Sequence, residues 1–197
     1  MRHLIDPLDF SQQEIASLLD LADRICADPA AYQDVAAHKK LAELERVGKL
    51  DAVVTQNIDG LHQMAGSQRV FELHGSVHRN ICQSCGAVYS AEWICSREHE
   101  DAAGVPVCPA CGGRIKPDVV LYEEQLDGHT LQGALSDIQG ADMLIIGGTS
   151  LVVYPAAGLV QYYRGHKLVL INRSSVSREV DAALVITDPI GEVLAQL

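Results

Sequence analysis

The chain has 197 residues, 48% hydrophobic and 21% charged, which is the composition of a globular protein. Its formal net charge of −11 argues against a general nucleic-acid binder, because phosphate contacts need a positive surface. The acidic surplus suits cationic partners such as lysine-rich protein tails. The sequence has neither an apolar run near the roughly 18 residues of a membrane span nor a signal-peptide core, so we expect no membrane partner and a cytoplasmic location.

The first 35 residues predict a helical leader whose pattern differs from the rest of the chain. Ser11 and Glu14 form a capping-box pattern, and apolar residues follow at helical spacing, so we predict a helix over about 12–27. With His3–Asp6, this stretch weakly resembles the N-terminus of ornithine and aspartate carbamoyltransferases. That family's phosphate-binding segment is absent, so we treat residues 1–35 as unrelated to the rest and infer no carbamoyl chemistry.

From residue 36 the sequence alternates helix and strand patterns, as α/β proteins do. An apolar run at 52–55, preceded by a helix ending near Gly48, predicts a buried strand. The other strands are predicted at 70–73, 118–122, 143–146, 168–171 and 184–186, and the other helices at 58–65, 130–139, 155–164 and 190–197. The order predicts an α/β fold with a partial doubly wound, Rossmann-like parallel sheet, interrupted at 78–116 by a small inserted zinc-ribbon module.

Polar residues follow the first two predicted strands at the point where each strand ends. Gln56, Asn57 and Asp59 come after one strand, and His74 comes after the next. Because carboxyl ends of parallel strands line the ligand crevice of an open sheet, we expect these side chains to share one cleft. The alternative is that Asn57 and Asp59 only cap turns.

Later strand ends carry a second set of candidates. Gly147–Ser150 follows the strand at 143–146, and Asn172 follows the strand at 168–171. Such a glycine turn lets backbone amides approach a ligand closely, although many tight turns have the same composition.

Two Cys-x-x-Cys pairs lie in the segment that interrupts the α/β pattern. Cys82 with Cys85 and Cys108 with Cys111 are separated by 22 residues, and glycine follows each pair. Four thiolates in this arrangement predict one structural Zn²⁺. Redox chemistry of a Cys-x-x-Cys pair is the weaker alternative. Cys95 lies between the pairs as a spare thiol.

Thr55–His62 reads Thr-Gln-Asn-Ile-Asp-Gly-Leu-His, and Leu73–Ser76 reads Leu-His-Gly-Ser. With the four-cysteine module, these stretches resemble the sirtuins, NAD-dependent protein-lysine deacylases. The resemblance runs from about 36 to 197. It implies an NAD-binding Rossmann-like domain over 36–77 and 117–197, and a zinc-binding module over 78–116. The family's Gly-Ala-Gly-Ile-Ser loop is absent, so we expect this domain to lack its first strand and glycine loop.

The resemblance also implies roles for individual residues. His74 is expected to be the catalytic general base, since histidine accepts protons near neutral pH. The residues expected to bind NAD are Gln56, Asn57, Ile58, Asp59, Gly148, Thr149, Ser150, Asn172 and Arg173. Those expected to bind an acylated-lysine peptide by strand addition are Val119, Val120, Leu121 and Val152, with Val153 beside it.

The implied activity is NAD-dependent removal of acetyl or other acyl groups from protein lysines, yielding nicotinamide and O-acyl-ADP-ribose. The main alternative is a catalytically impaired fragment that acts only as a zinc-stapled module for binding acyl-peptides. A gene-fusion product without function and a zinc-ribbon nucleic-acid binder are further alternatives, and the acidity disfavours the last.

Overall fold

The computed structural model describes residues 36–121, 123–149, 151–173 and 181–197, which belong to one compact unit. The helix predicted over 12–27 lies outside the described residues, so the division of the chain into leader, Rossmann-like domain and zinc module stays a prediction. Among the helices of the described residues, none has the length and apolar character needed to cross a membrane.

A small parallel sheet opens the described part of the chain. Helix α1 (Ala36–Arg46) leads through Gly48, at φ 69°, to strand β1 (Val53–Thr55). Helix α2 (Leu61–Met64) follows, shorter than predicted, and strand β2 (Val70–Glu72) pairs with β1 in parallel. The two parallel strands predicted from the apolar runs are thereby confirmed, but their predicted burial was wrong in part, because only Val53 is buried and the other residues are half-buried.

An antiparallel sheet holds the cysteine pairs. Strand β3 (Gly75–Cys82) lies between β4 (Val88–Ser90) and β5 (Ile115–Val119), and helix α3 (Ala91–Cys95) follows β4. The predicted placement of a strand at 118–122 in the parallel sheet was wrong, because β5 pairs antiparallel with β3.

Strand β3 itself was not predicted, and its burial pattern explains why. Its buried residues include Ser76 and Asn80, at 2% and 3% exposure, whereas Val77 is exposed. The apolar alternation that usually indicates a strand is therefore missing from this stretch.

A second parallel sheet forms the C-terminal half. Helix α4 (Gly128–Gly140) is capped by Asp127, whose carboxylate accepts the Thr130 N–H at 2.8 Å. The strands of this sheet, in the spatial order in which they pair, are β6 (Leu144–Gly147), β7 (Leu168–Ile171) and β8 (Leu184–Ile186). The helix predicted at 155–164 is a 3₁₀ helix, Ala156–Tyr162, and helix α5 is Ile190–Leu194.

Two buried clusters support the parallel sheets. The first consists of Leu73, Ala134, Ile138, Ala156 and Leu159, and the second of Ile146, Leu151, Ala157, Leu168 and Leu170. Val54 of β1 and Leu144 of β6 both pack against the first cluster, although within the described residues no hydrogen bonds join the two sheets. The parallel strands are therefore divided between two sheets that share one core.

Candidate functional site

A cavity of about 430 Å³ lies where β1, β2 and β5 end. Its lining residues are Gln56, Asn57, Ile58, Asp59, His74, Val119 and Val120. The structure thus brings together the polar side chains that follow the first two strands, as the sheet argument predicted. Val119 and Val120 come from the end of β5 and add an apolar wall.

His74 is held in one orientation by the main chain around it. Its Nδ1 lies 3.1 Å from the Gln56 carbonyl oxygen, and its own carbonyl accepts the Val120 N–H at 2.9 Å. Because a carbonyl oxygen only accepts, Nδ1 carries the hydrogen and Nε2 keeps its lone pair. The contact therefore leaves Nε2 as the atom able to take a proton.

Gly75 makes the tight approach behind His74 possible. It has φ 76°, and a Cβ at this position would collide with the Asp118 carbonyl. Only glycine adopts this conformation without strain and leaves the space free.

The polar loop after β1 is fixed by its own hydrogen bonds. The Gln56 amide donates to the Val153 carbonyl at 3.2 Å, and Asp59 Oδ1 accepts the Leu61 N–H at 3.0 Å. Asp59 therefore closes a turn just before α2, as the turn-capping alternative proposed, and also lines the cavity. The Asn57 N–H donates to Thr55 Oγ1 at 3.1 Å.

His78 is a site residue that sequence reasoning missed. Its Nε2 lies 2.9 Å from the Asp59 carbonyl, and its ring fills the space above Gly60. The neighbouring Val77 N–H donates to the Ile58 carbonyl at 3.0 Å. His78 lies on β3, which was not predicted and whose pairing is irregular between Ser76 and Asn80, so the sequence offered no signal for this contact.

The other predicted cofactor and peptide residues do not line this cavity. Gly148, at φ 63°, and Thr149 follow β6, and Asn172 and Arg173 follow β7, at the carboxyl edge of the second parallel sheet. Ser150 lies outside the described residues. Leu121 and Val152 are exposed.

The four paired cysteines converge on one point. All four Sγ atoms, of Cys82, Cys85, Cys108 and Cys111, lie within 4.8 Å of one another. The Cys82–Cys111 and Cys85–Cys108 Sγ separations are 3.5 and 3.7 Å. A tetrahedral zinc with Zn–S bonds of about 2.3 Å needs sulfurs about 3.8 Å apart, so this donor set fits one structural zinc.

A tyrosine supports the cluster from outside. The Tyr89 hydroxyl lies 3.0 Å from Cys108 Sγ, and this hydrogen bond lowers the pKa of Cys108 to about 6 and raises the pKa of Tyr89 to about 12. The thiolate is the form that binds metal. Cys95 is exposed and does not belong to the cluster.

Fold and site together define a Rossmann-like protein with an inserted four-cysteine zinc ribbon. The cavity lies where the first parallel sheet meets the antiparallel sheet of the ribbon. A model of the Sir2 family matches residues 9–155, and the chain belongs to that family. The sirtuin resemblance found in the sequence is confirmed.

Bacterial relatives match most of this chain. It is 60% identical over 162 residues to an NAD-dependent protein deacetylase of Clostridium perfringens. This match covers 82% of this chain and 64% of the relative. A deacetylase of the same description from Clostridium acetobutylicum is 56% identical over 159 residues, covering 81% and 63%. The chain thus spans less than two thirds of the length of these relatives.

Solved structures agree on the fold. A Sir2 protein described with a p53 peptide and NAD⁺ is 37% identical, with a TM-score of 0.75 over 82% of this chain and 67% of the other. A Sir2 protein bound to acetylated peptide gives 37% identity and a TM-score of 0.76, with 82% and 68% covered. The Rossmann-like fold predicted from the sequence is therefore confirmed.

Proposed function

We propose that this protein removes acetyl and related acyl groups from protein lysines in an NAD-dependent reaction that yields nicotinamide and O-acyl-ADP-ribose. The observation that carries the proposal is the cavity in which the His74 ring meets the polar loop Gln56–Asp59. The names of the relatives, NAD-dependent protein deacetylases, support the same activity.

NAD is assigned to the polar loop and to the carboxyl edge of the second parallel sheet. Gln56, Asn57 and Asp59 offer amide and carboxylate groups to the ribose and nicotinamide. Gly148, where a Cβ would meet no atom within 4 Å, leaves open space after β6 for a phosphate or ribose. Thr149 and Ser150 are next in sequence, and Asn172 and Arg173 follow the neighbouring strand β7. When bound, NAD supplies the ribose carbon that releases nicotinamide and accepts the acyl group.

His74 is assigned the role of general base. Its Nδ1–H is committed to the Gln56 carbonyl, so Nε2 is free to accept a proton from a ribose hydroxyl. Because the Gln56–Asp59 loop also lines the cavity, the same loop orients His74 and binds the NAD whose ribose hydroxyl His74 deprotonates.

The acyl-lysine peptide is assigned to the apolar side of the cleft. Val119 and Val120 line the cavity, and the exposed side chains of Leu121, Val152 and Val153 extend the apolar surface beyond it. The peptide is an extended strand whose acyl-lysine enters the cavity toward His74. The zinc is structural in this proposal, and the thiolates that hold it favour a reducing, cytoplasmic location.

The test is nicotinamide release from NAD in the presence of an acetyl-lysine peptide. We expect release by the unaltered chain, a loss of at least about a hundredfold in His74→Ala, and no change in His129→Ala, which alters an exposed histidine outside the cavity. Equal rates in the unaltered chain and His74→Ala contradict the proposal. Peptide binding without NAD binding in calorimetry supports the alternative of a binding module.

A further inference from the structure

Strand β3 leaves its regular pairing beside the Gln56–Asp59 loop. It is in register with β5 up to Ser76 and again from Asn80, and the register shifts between these two residues. Among the described strands, Val77 and His78 lie opposite no residue of β4 or β5. An irregularity of this kind next to a site turns side chains and backbone groups toward that site.

The two residues freed from the ladder bind two consecutive carbonyls of the loop. The Val77 N–H donates to the Ile58 carbonyl at 3.0 Å, and His78 Nε2 lies 2.9 Å from the Asp59 carbonyl. Because a carbonyl only accepts, Nε2 carries the hydrogen, and it donates whether Nδ1 is neutral or protonated. The His78 N–H donates to the hydroxyl of buried Ser76 at 3.2 Å, so the strand fixes His78 where it meets the loop.

The His78 ring also contacts the loop backbone. Gly60 has φ 70°, and a Cβ on it would lie 2.7 Å from His78 Cδ2, so the loop approaches the ring this closely only because residue 60 is glycine. The other end of the loop is held separately, since the Gln56 amide donates to the Val153 carbonyl. His78 therefore fixes one end of the loop, and a different contact fixes the end that orients His74.

We propose that His78 is a positioning residue for NAD. By donating to the Asp59 carbonyl, it holds the side chains of Asn57 and Asp59 in the cavity where the cofactor binds. This rests on the proposed function, in which the loop binds the ribose and nicotinamide. Because the opposite end of the loop contacts His74, His78 acts on NAD binding and leaves proton transfer unaffected.

The test compares three variants of His78 in the nicotinamide-release assay. His78→Gln keeps an N–H donor at the reach of Nε2, His78→Glu has the same length but only accepts, and His78→Ala removes the contact. The KM for NAD is expected to rise about three- to tenfold in His78→Ala and His78→Glu, the equivalent of one net hydrogen bond, with kcat within about twofold. We expect His78→Gln to restore the KM of the unaltered chain. His129→Ala, at an exposed histidine of α4, is the matched control and should change neither constant.

A second measurement follows the loop without NAD. The Leu61 N–H donates to Asp59 Oδ1 at 3.0 Å, so its hydrogen exchange reports whether Asp59 keeps its orientation. We expect faster exchange of Leu61 in His78→Ala and His78→Glu than in the unaltered chain and His78→Gln. Each variant should still bind one zinc per chain, because His78 is not among the four clustered cysteines.

Three results overturn the proposal. Equal KM values in His78→Gln and His78→Glu would show that the size of the side chain matters and its hydrogen bond does not. A lower kcat at unchanged KM would show only a loss of folded chain. Unchanged exchange of Leu61 in His78→Ala would show that the loop does not depend on His78. If the unaltered chain binds no NAD, the proposed function fails, and the exchange of Leu61 alone then decides whether His78 holds the loop.

Discussion

Removing the metal is expected to unfold the antiparallel sheet of the zinc module. The buried hydrophobic residues of that module are Cys82, Cys108 and Ile115, so two of the three are metal ligands; Ala87, Tyr89, Trp93 and Ile94 pack against them but are only partly buried. Burying one isoleucine contributes about 1.5–3 kcal/mol, whereas ordering each residue costs about 1–2 kcal/mol. The apolar core therefore cannot hold the module without the metal.

The contribution of one cysteine to the free energy of zinc binding can be estimated from the four-thiolate site. Structural zinc contributes about 10–16 kcal/mol of binding free energy, or about 3 kcal/mol for each of four thiolates. Cys108→Ser, at a position 1% exposed, is therefore expected to weaken zinc binding by about a hundredfold. Cys95→Ser, at the exposed thiol outside the cluster, is the control and is expected to leave zinc binding unchanged.

The module contains its own reporter. Trp93 is the only tryptophan of the chain, and its ring stacks on His99 at 4.6 Å between centroids and contacts Tyr89 at 4.3 Å. We expect one zinc per chain, and a red-shifted Trp93 emission when a chelator removes it. Unchanged emission after complete zinc removal, or full zinc retention by Cys108→Ser, would refute the reasoning.

Three further outcomes are expected. Burial, and after it the nearby His38, lower the pKa of His62 below 6.5. As pH drops below about 6.5 the unfolded state therefore binds a proton before the folded state does, and stability should fall. The fall in melting temperature between pH 7.5 and 5.5 should be smaller in His62→Gln. Gly75→Ala should cost more than about 1–3 kcal/mol in urea unfolding, while Gly128→Ala, with open space at its Cβ, should not destabilise. Ile138→Ala should cost about 2–5 kcal/mol, and Ile145→Ala, at 39% exposure, clearly less.

The parallel strands and the cysteine cluster were predictable because local patterns determine them. The apolar runs that became β1, β2, β7 and β8 predict strands, whatever their burial, and each cysteine pair carries its own turn. The partner of β5 was not predictable in this way. Its pairing depends on β3, where buried Ser76 and Asn80 stand on either side of three exposed residues, 77–79. The pairing of an apolar strand with a largely polar one is determined by tertiary contacts, and these cannot be read from the local sequence pattern.

The same limit applied to the site. The polar residues of the Gln56–Asp59 loop were predictable from their position at a strand end, and they do line the cavity with His74. The contact of His78 with the Asp59 carbonyl depends on how β3 passes the loop. Because β3 was not predicted, its contacts with the loop could not be predicted either.

The antiparallel pair of β3 and β5 joins the metal cluster to the cleft. At one end Cys82 lies opposite Ile115, and at the other Gly75, next to His74, lies opposite Val119. Eight residues of β3, at about 3.4 Å each, span about 24–27 Å between the two. The wall formed by Val119 and the bond from the Val120 N–H to His74 both depend on β5 staying paired. Zinc therefore influences the orientation of His74 without touching it. Chelation should speed hydrogen exchange of the Val120 N–H, which donates to the His74 carbonyl, along with that of the module.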